Sequence, residues 1–281
     1  MEKKGQYFIG DMSCICNISK KALRYYDEIN LIPSQRDNCN NYRFYTDDSL
    51  LAVPVIKYYK QMGFTLEKIK DFIDGDSPNV FKSMQVSFQE KLNELEIEQE
   101  DIRRKHVSVK DWYELIFEAE TVIENDIHEV SIKFVEPTCV LFQDQNYSTH
   151  LKSAIINLQF TKHVEDLNCE ITGPVIINYS SYEDRIDDHE QNIKLLQKTI
   201  MPCPEGHQYQ FGGHMMVTCY HIGAHDNINE TYKRMEAWAR SNGYTLEDES
   251  FERYVTDYWT TSNTTKFVTE ILIKASRPRK R

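Results

Sequence analysis

From Val80 to Phe117 the chain contains no proline and no glycine, and Phe81, Phe88, Leu95, Ile102, Val109 and Ile116 recur at every seventh position. An apolar repeat of seven sustained over that length specifies one long α-helix with an apolar seam. The companion positions, four residues on, hold Gln85, Leu92, Gln99, His106 and Tyr113. They are too polar for a strong isolated coiled coil, and polar seam residues set register and partner number at a cost in stability. His106 reads as one of these rather than as a ligand. The alternative for the whole run is a single amphipathic helix packed on its own domain. The helix divides the chain into residues 1–77, 78–120 and 121–281.

The segment before it is built of short, well-punctuated elements. Ser19 is placed to cap a helix, because its hydroxyl can accept from a first-turn amide. In Ile18–Leu31, Ala22, Leu23, Tyr26 and Ile29 form one apolar stripe, which leaves Lys20, Lys21, Arg24 and Tyr25 pointing outward. Cations and a phenol at a helix start suit a phosphate backbone and a major groove. Gly10–Asn17 reads as a shorter first helix, making a helix-turn-helix. Residues 37–41 (DNCNN) read as a turn and Tyr42–Tyr45 (YRFY) as a strand, together a wing that carries Tyr42 and Arg43. Thr46 caps a third helix over Ser49–Met62 with Lys57 and Lys60 on one side, Gly63 closes it, and Thr65 opens a fourth.

The motifs Ile9-Gly10, Leu23-Arg24-Tyr25-Tyr26-Asp27, Leu31-Ile32, Tyr42-Arg43-Phe44-Tyr45 and Met62-Gly63-Phe64 resemble, in order and spacing, the winged-helix DNA-binding domain of the MerR family of bacterial transcription regulators. The resemblance implies that the long helix pairs antiparallel between two subunits, and that a homodimer sits on a palindromic promoter site. It implies that Ser19, Lys20, Lys21, Arg24, Tyr25, Tyr42, Arg43 and Lys60 lie along double-stranded DNA. In this family the activated dimer untwists an over-long promoter spacer, so RNA polymerase is reached through the DNA.

Net charge bears on that expectation. The chain carries −11, but residues 1–75 hold 11 Lys+Arg against 10 Asp+Glu, and the acidity lies in residues 76–281. The head is the segment that is not acidic, and its cations must be segregated on one face for DNA binding to work. Seven cysteines at 14, 16, 39, 139, 169, 203 and 219 form no CxxC pair. They read as reduced thiols in a cytoplasmic protein, and a metal site or cofactor is not expected. No segment reaches the length of a membrane span.

Residues 128–275 alternate between strand and helix patterns. Strands are expected at Ser131–Asp144, broken at Pro137, and at Gly173–Tyr179, near Lys194–Met201, and at Gly213–Ile222, Ser250–Tyr258 and Lys266–Ala275. Helices are expected at Thr149–Val164 and Asn229–Asn242. Each half is strand–helix–strand–strand, so the fold class is α+β: a winged helix-turn-helix, a long dimerisation helix and a duplicated βαββ domain with a cleft between its halves.

This part is similar to gyrase-inhibitor-like effector-binding domains, through Gly223, Asn229–Trp238 before Gly243-Tyr244, Phe251-Glu252, and Phe267-Val268-Thr269-Glu270-Ile271-Leu272-Ile273. Joined to the head, it looks like the multidrug-responsive MerR activators, which implies a lipophilic cationic effector. Alternation puts Glu252, Tyr254 and Tyr258 on one strand face, and Glu270 lies in an apolar row. A carboxylate there is costly unless it is paired, exposed or awaiting a cation, and aromatic faces attract cations. The candidate ligand set is Glu252, Glu270, Tyr147, Tyr179, Tyr182, Tyr220, Tyr254, Tyr258 and Trp259. Against it stands core packing of the rings and internal pairing of the carboxylates. Two rival functions are a repressor or architectural protein whose effector is not a cation, and a small hydrolase using Glu252 or Glu270 as a base. No Ser-His-Asp set, metal cluster or phosphate loop accompanies the latter.

Overall fold

The computed structural model describes residues 5–36, 42–75, 79–146 and 151–277. The turn cluster 37–41, Tyr147 and most of the basic tail, 278–281, lie outside the described residues. The chain forms two compact units, Met1–Glu100 and Asp101–Arg281.

The first unit is delimited by its caps. β1 (Tyr7–Phe8) leads into α1 (Ile9–Cys16), which ends at Asn17 in the left-handed conformation, φ 47°. α2 (Lys20–Glu28) begins at Ser19, whose Oγ accepts from the Ala22 amide at 3.1 Å. β2 (Gln35–Arg36) and β3 (Arg43–Tyr45) complete a three-stranded sheet ordered β1-β3-β2. α3 (Asp47–Gln61) and α4 (Leu66–Asp74) are capped by Thr46 and Thr65. Met12, Leu23, Tyr26, Ile32, Tyr45, Val53, Ile56 and Ile69 form the core, and this is the winged head that the motifs specify.

α5 runs unbroken from Val80 to Glu124, one turn and more beyond the expected end. The boundary between the units falls inside it. In the second unit its residues Leu115, Ala119 and Val122 are buried against Val255 and Val268 of the sheet. Of the heptad positions, Phe81, Leu95, Ile102, Val109 and Ile116 are exposed on the single chain.

The second unit is one antiparallel eight-stranded sheet. Its strands are β4 (Ser131–Val135), β5 (Thr138–Asn146), β6 (Ile171–Tyr179), β7 (Asn192–Thr199), β8 (Gln208–Phe211), β9 (His214–Ile222), β10 (Thr245–Thr256) and β11 (Val268–Ser276). They lie in the order β4-β9-β11-β10-β6-β7-β5-β8. Read outward from the β10–β6 junction, β10-β11-β9 mirrors β6-β7-β5, so the βαββ duplication is present, with β4 and β8 added at the edges. The expected helix over 149–164 is two, α6 (Leu151–Ile155) and α7 (Leu158–Asp166), because Asn157 turns its Oδ1 to the Phe160 amide and restarts the helix. α8 (Tyr182–Ile186) and β8 are too short to have left a periodicity in the sequence. α9 (Ile228–Ser241) matches its expected bounds within a residue. α6 and α7 pack on one face of the sheet with Ile177, Tyr179 and Leu195, and α8 and α9 pack there with Ile271 and Ile273. The second half of α5 lies on the opposite face, beside a cluster of Ile176, Leu196, Phe251 and Leu272.

Candidate functional site

In the head, the buried side chains Leu23 and Tyr26 fix the rotation of α2, and that rotation leaves Lys20, Lys21, Arg24 and Tyr25 exposed together. Tyr42 and Lys60 are also exposed on this unit. Arg43 is differently placed. Its Nε donates to Asp27 Oδ2 at 2.9 Å, and Asp27 Oδ1 accepts the Ser34 amide at 2.7 Å. Burial raises the Asp27 pKa, but Ser34 and Arg43 outweigh it and hold the carboxyl below its ordinary value. Part of the Arg43 donor set is thus spent inside the protein, locking β3 to the end of α2. Lys57, although exposed, is likewise engaged within the protein, donating to the Cys16 carbonyl at 2.5 Å.

In the second unit the sheet separates the two carboxylates grouped by sequence in one candidate ligand set. Glu252 pairs across to Ile271, while Glu270 pairs to Arg253, so the two side chains leave opposite faces. Glu270, with Tyr220, lies on the α5 face. Its Oε1 is held by Lys133 and by Thr218 Oγ1 at 2.8 Å, and its Oε2 accepts from Arg253 Nε at 2.8 Å. Arg253 also binds Glu118 of α5, which accepts from the Tyr220 hydroxyl at 2.8 Å. Burial pushes the Glu270 carboxyl up, but Arg253 and Lys133 pull it below the ordinary range. A single cup containing Glu252, Glu270 and Tyr220 does not form, because residue parity along β10 and β11 sends them apart.

Glu252 has no exposed surface. Its Oε1 accepts from Arg185 Nε at 2.8 Å and from the Tyr232 hydroxyl at 3.0 Å, and its Oε2 accepts from the Tyr254 hydroxyl at 2.5 Å. Arg185 stacks over the Tyr179 ring at 5.0 Å. Burial opposes the charge on Arg185, yet Glu252 holds its proton more firmly than usual. Burial and then Glu252 raise both Tyr232 and Tyr254, which remain neutral donors. Sequence reading missed Arg185 and Tyr232. Tyr232 had a helical signal, while Arg185 sits on a five-residue helix without one.

Above this network opens a cleft of about 390 Å³, lined by Leu151, Arg185, Ile186, Asp188, His225 and Ile228 among others. Arg185 Nη1 stands 3.9 Å from Asp188 Oδ1 at its rim. His225 packs against Tyr254 and Tyr258 and donates to or accepts from Thr269 Oγ1 at 3.0 Å. Burial lowers its pKa to about 4, so it is neutral at physiological pH. Of the remaining expected residues, Tyr182, the first residue of α8, is buried in the core with Ile228, Tyr232 and Met235 of α9. Tyr258 lies under Lys152, 5.1 Å from its ring centroid, and Trp259 is half exposed, its Nε1 donating to the Ile155 carbonyl.

Comparison with known proteins bears on both units. Residues 7–76 match the family described as MerR HTH family regulatory protein, and residues 128–275 match the family described as GyrI-like small molecule binding domain. The multidrug-efflux transporter 2 regulator of Bacillus subtilis is 24% identical over 272 residues, 90% of each chain. The multidrug-efflux transporter 1 regulator of the same species is 41% identical over 80 residues, 28% of this chain and 29% of that one. The solved EcmrR–DNA complex aligns over 98% of this chain and 100% of that chain, with 21% identity and a TM-score of 0.46.

Proposed function

This chain belongs to the MerR-family transcription regulators that carry a GyrI-like small-molecule-binding domain, and from that premise we propose that a lipophilic cation controls it from the cleft over Glu252. The observation that carries the reading is the Arg185–Glu252 pair. A buried carboxylate that accepts from Tyr232 and Tyr254 is already occupied by a cation, and that cation is the chain's own arginine, stacked on Tyr179 at the wall of the cleft.

The effector takes the place of the guanidinium on Glu252, and Arg185 turns toward Asp188, whose carboxylate is 3.9 Å away before any ligand arrives. The exchange keeps the charge on Glu252 compensated throughout, which an unpaired buried carboxylate would not allow. The ligand biases the regulator by the difference in its affinity for two states. Lys20, Lys21, Arg24, Tyr25, Tyr42 and Lys60 hold the promoter, with the remaining donors of Arg43, and set position more than sequence. The exposed heptad residues of α5 pair with a second copy, giving a homodimer on a palindromic site in the cytoplasm. Promoter untwisting would then bring RNA polymerase into play through the DNA. On this reading the chain is a regulator and catalyses nothing, in keeping with the regulators it is similar to.

The test is a tetraphenylphosphonium titration of the full chain followed by tryptophan fluorescence. Saturable binding is expected, weaker in Glu252→Gln and tighter in Arg185→Met, which removes the internal competitor. An effector that engages Arg185 itself, an anion for example, gives the opposite response to Arg185→Met and sinks the cation reading. The DNA-binding assignment would survive that result.

A further inference from the structure

Asp257, just past the end of β10, is a third buried carboxylate, and among the described residues it has no cation. Its Oδ1 accepts the Trp259 amide at 2.7 Å, a turn-forming bond that leaves Oδ2 without a charged neighbour. Glu252 and Glu270 are each held by an arginine, so the lack of one here stands out. Burial pushes the Asp257 carboxyl up to about 6, and the Trp259 amide draws it only partly back.

Asp257 borders a cavity of about 130 Å³, lined by Trp112, Thr172, Pro174, Gln197 and Trp259 among others. The cavity has a backbone origin. β10 and β6 pair from Ser250 opposite Tyr179 to Arg253 opposite Ile176. Beyond that point β6 slips register against β7 between Thr172 and Ile176, and β10 slips against β11 between Tyr254 and Thr256. Gly173, at φ +75°, and Pro174, which has no N–H, make up part of the first irregularity. Two irregularities on neighbouring strands part the sheet, and such irregularities re-aim side chains next to sites. Thr172 is 2% exposed, and its Oγ1 has no hydrogen-bond partner. Gln197 is committed, its Nε2 donating to the Gly173 carbonyl at 3.0 Å.

We infer that this cavity is a second binding site, separate from the cleft over Glu252, and that it takes a small organic ammonium head group. The Asp257 carboxylate supplies the counter-charge. The indoles of Trp112 and Trp259 supply the aromatic surfaces that attract an ammonium. The idle Thr172 hydroxyl accepts from an N–H where the head group has one. An anion would meet Asp257 with like charge, and a neutral guest would leave that carboxylate buried and uncompensated. The cavity is also much smaller than the 390 Å³ cleft, so it selects a head group and excludes a bulky lipophilic cation.

Two of the chain's three tryptophans line the cavity, so its occupancy is visible in fluorescence. The experiment titrates the full chain with tetramethylammonium chloride against sodium chloride at equal ionic strength, with tert-butanol as the uncharged isostere. The wild type is expected to give a saturable response beyond the salt control, and Asp257→Asn to weaken it about tenfold or more. Asn keeps the oxygen that accepts the Trp259 amide, so the turn is retained, and a thermal melt confirms folding. The response to tert-butanol should match in the two proteins. Trp259→Leu, at a half-exposed position, should weaken tetramethylammonium binding several-fold and provides a second variant should Asp257→Asn fail to fold. A wild type that does not respond beyond salt overturns the proposal, as does an Asp257→Asn protein that binds as the wild type does.

Discussion

Glu252 and Glu270 stand on adjacent strands of one sheet, both buried and each bound to an arginine at 2.8 Å. Their surroundings differ in one respect that decides what each can do. Glu270 is shared between Arg253 and Lys133, and Arg253 also reaches Glu118 on α5, so the network ties the sheet to the helix through more than one cation. Glu252 has a single cationic partner among the described residues, and that partner lines a cleft with a second carboxylate in reach. On the proposed reading, the ion pair that can exchange with a cation is the binding site, and the one that cannot is architecture.

The sharpest way to break the comparison is Glu270→Gln. Removing Glu270 leaves the buried Arg253 with Glu118 alone, at a cost of up to about 3–5 kcal/mol, the range for breaking a buried pair, so urea unfolding should show a loss within that bound with effector preference unchanged. Because the Glu270 carboxyl is held below its ordinary range, its contribution is present above the unfolded pKa and fades as pH falls through the folded one. A Glu270→Gln protein that stays stable but loses cation binding would reverse the roles assigned to the two residues.

Asp257→Asn sharpens the contrast from the other side, because among the described residues this carboxylate has no cationic partner to lose. Its carboxyl titrates near 6, against an ordinary 3.8, so the charged form opposes folding. The substitution should stabilise the protein by up to about 3 kcal/mol at pH 7. The sign is fixed by linkage: the gain is full above about pH 6, shrinks as pH falls, and vanishes below about pH 4. Chemical denaturation at pH 7 and pH 4 would read it.

Arg185→Met comes next in size. It should raise tetraphenylphosphonium affinity about tenfold, equivalent to ~1.4 kcal/mol, while lowering the stability of the unliganded protein. Smallest is Arg24→Ala in the head. It should weaken promoter binding alike across sequences and reduce the slope of log affinity against log salt by about 0.9, with effector binding untouched.

Much of the architecture was legible because its signals are local. Ser19, Thr46 and Thr65 each cap the adjoining helix, since a cap depends on an amide three residues away. The seven-residue repeat specified α5, although its apolar pattern alone could not say that Leu115, Ala119 and Val122 pack on the sheet behind them. The βαββ repeat was visible as a pattern of periods, whereas α8 was too short to register. Tyr220 and Glu270 fall on the wrong face for the cup because alternation orders residues along one strand and does not align parity between strands. That alignment comes from the register of β10 against β11 and of β11 against β9.

By itself, then, the sequence determined the winged head, the long helix and the duplicated domain, because caps, periods and turn residues act within a few positions of themselves. Only the tertiary structure decided which carboxylate meets which cation. Arg185 and Glu252 are 67 residues apart, and Glu118 and Arg253 are 135 apart. Asp257 has no such partner at any distance among the described residues. Charge pairing depends on separation in space and on exclusion of water, and both are set when the sheet closes and its strands take their register.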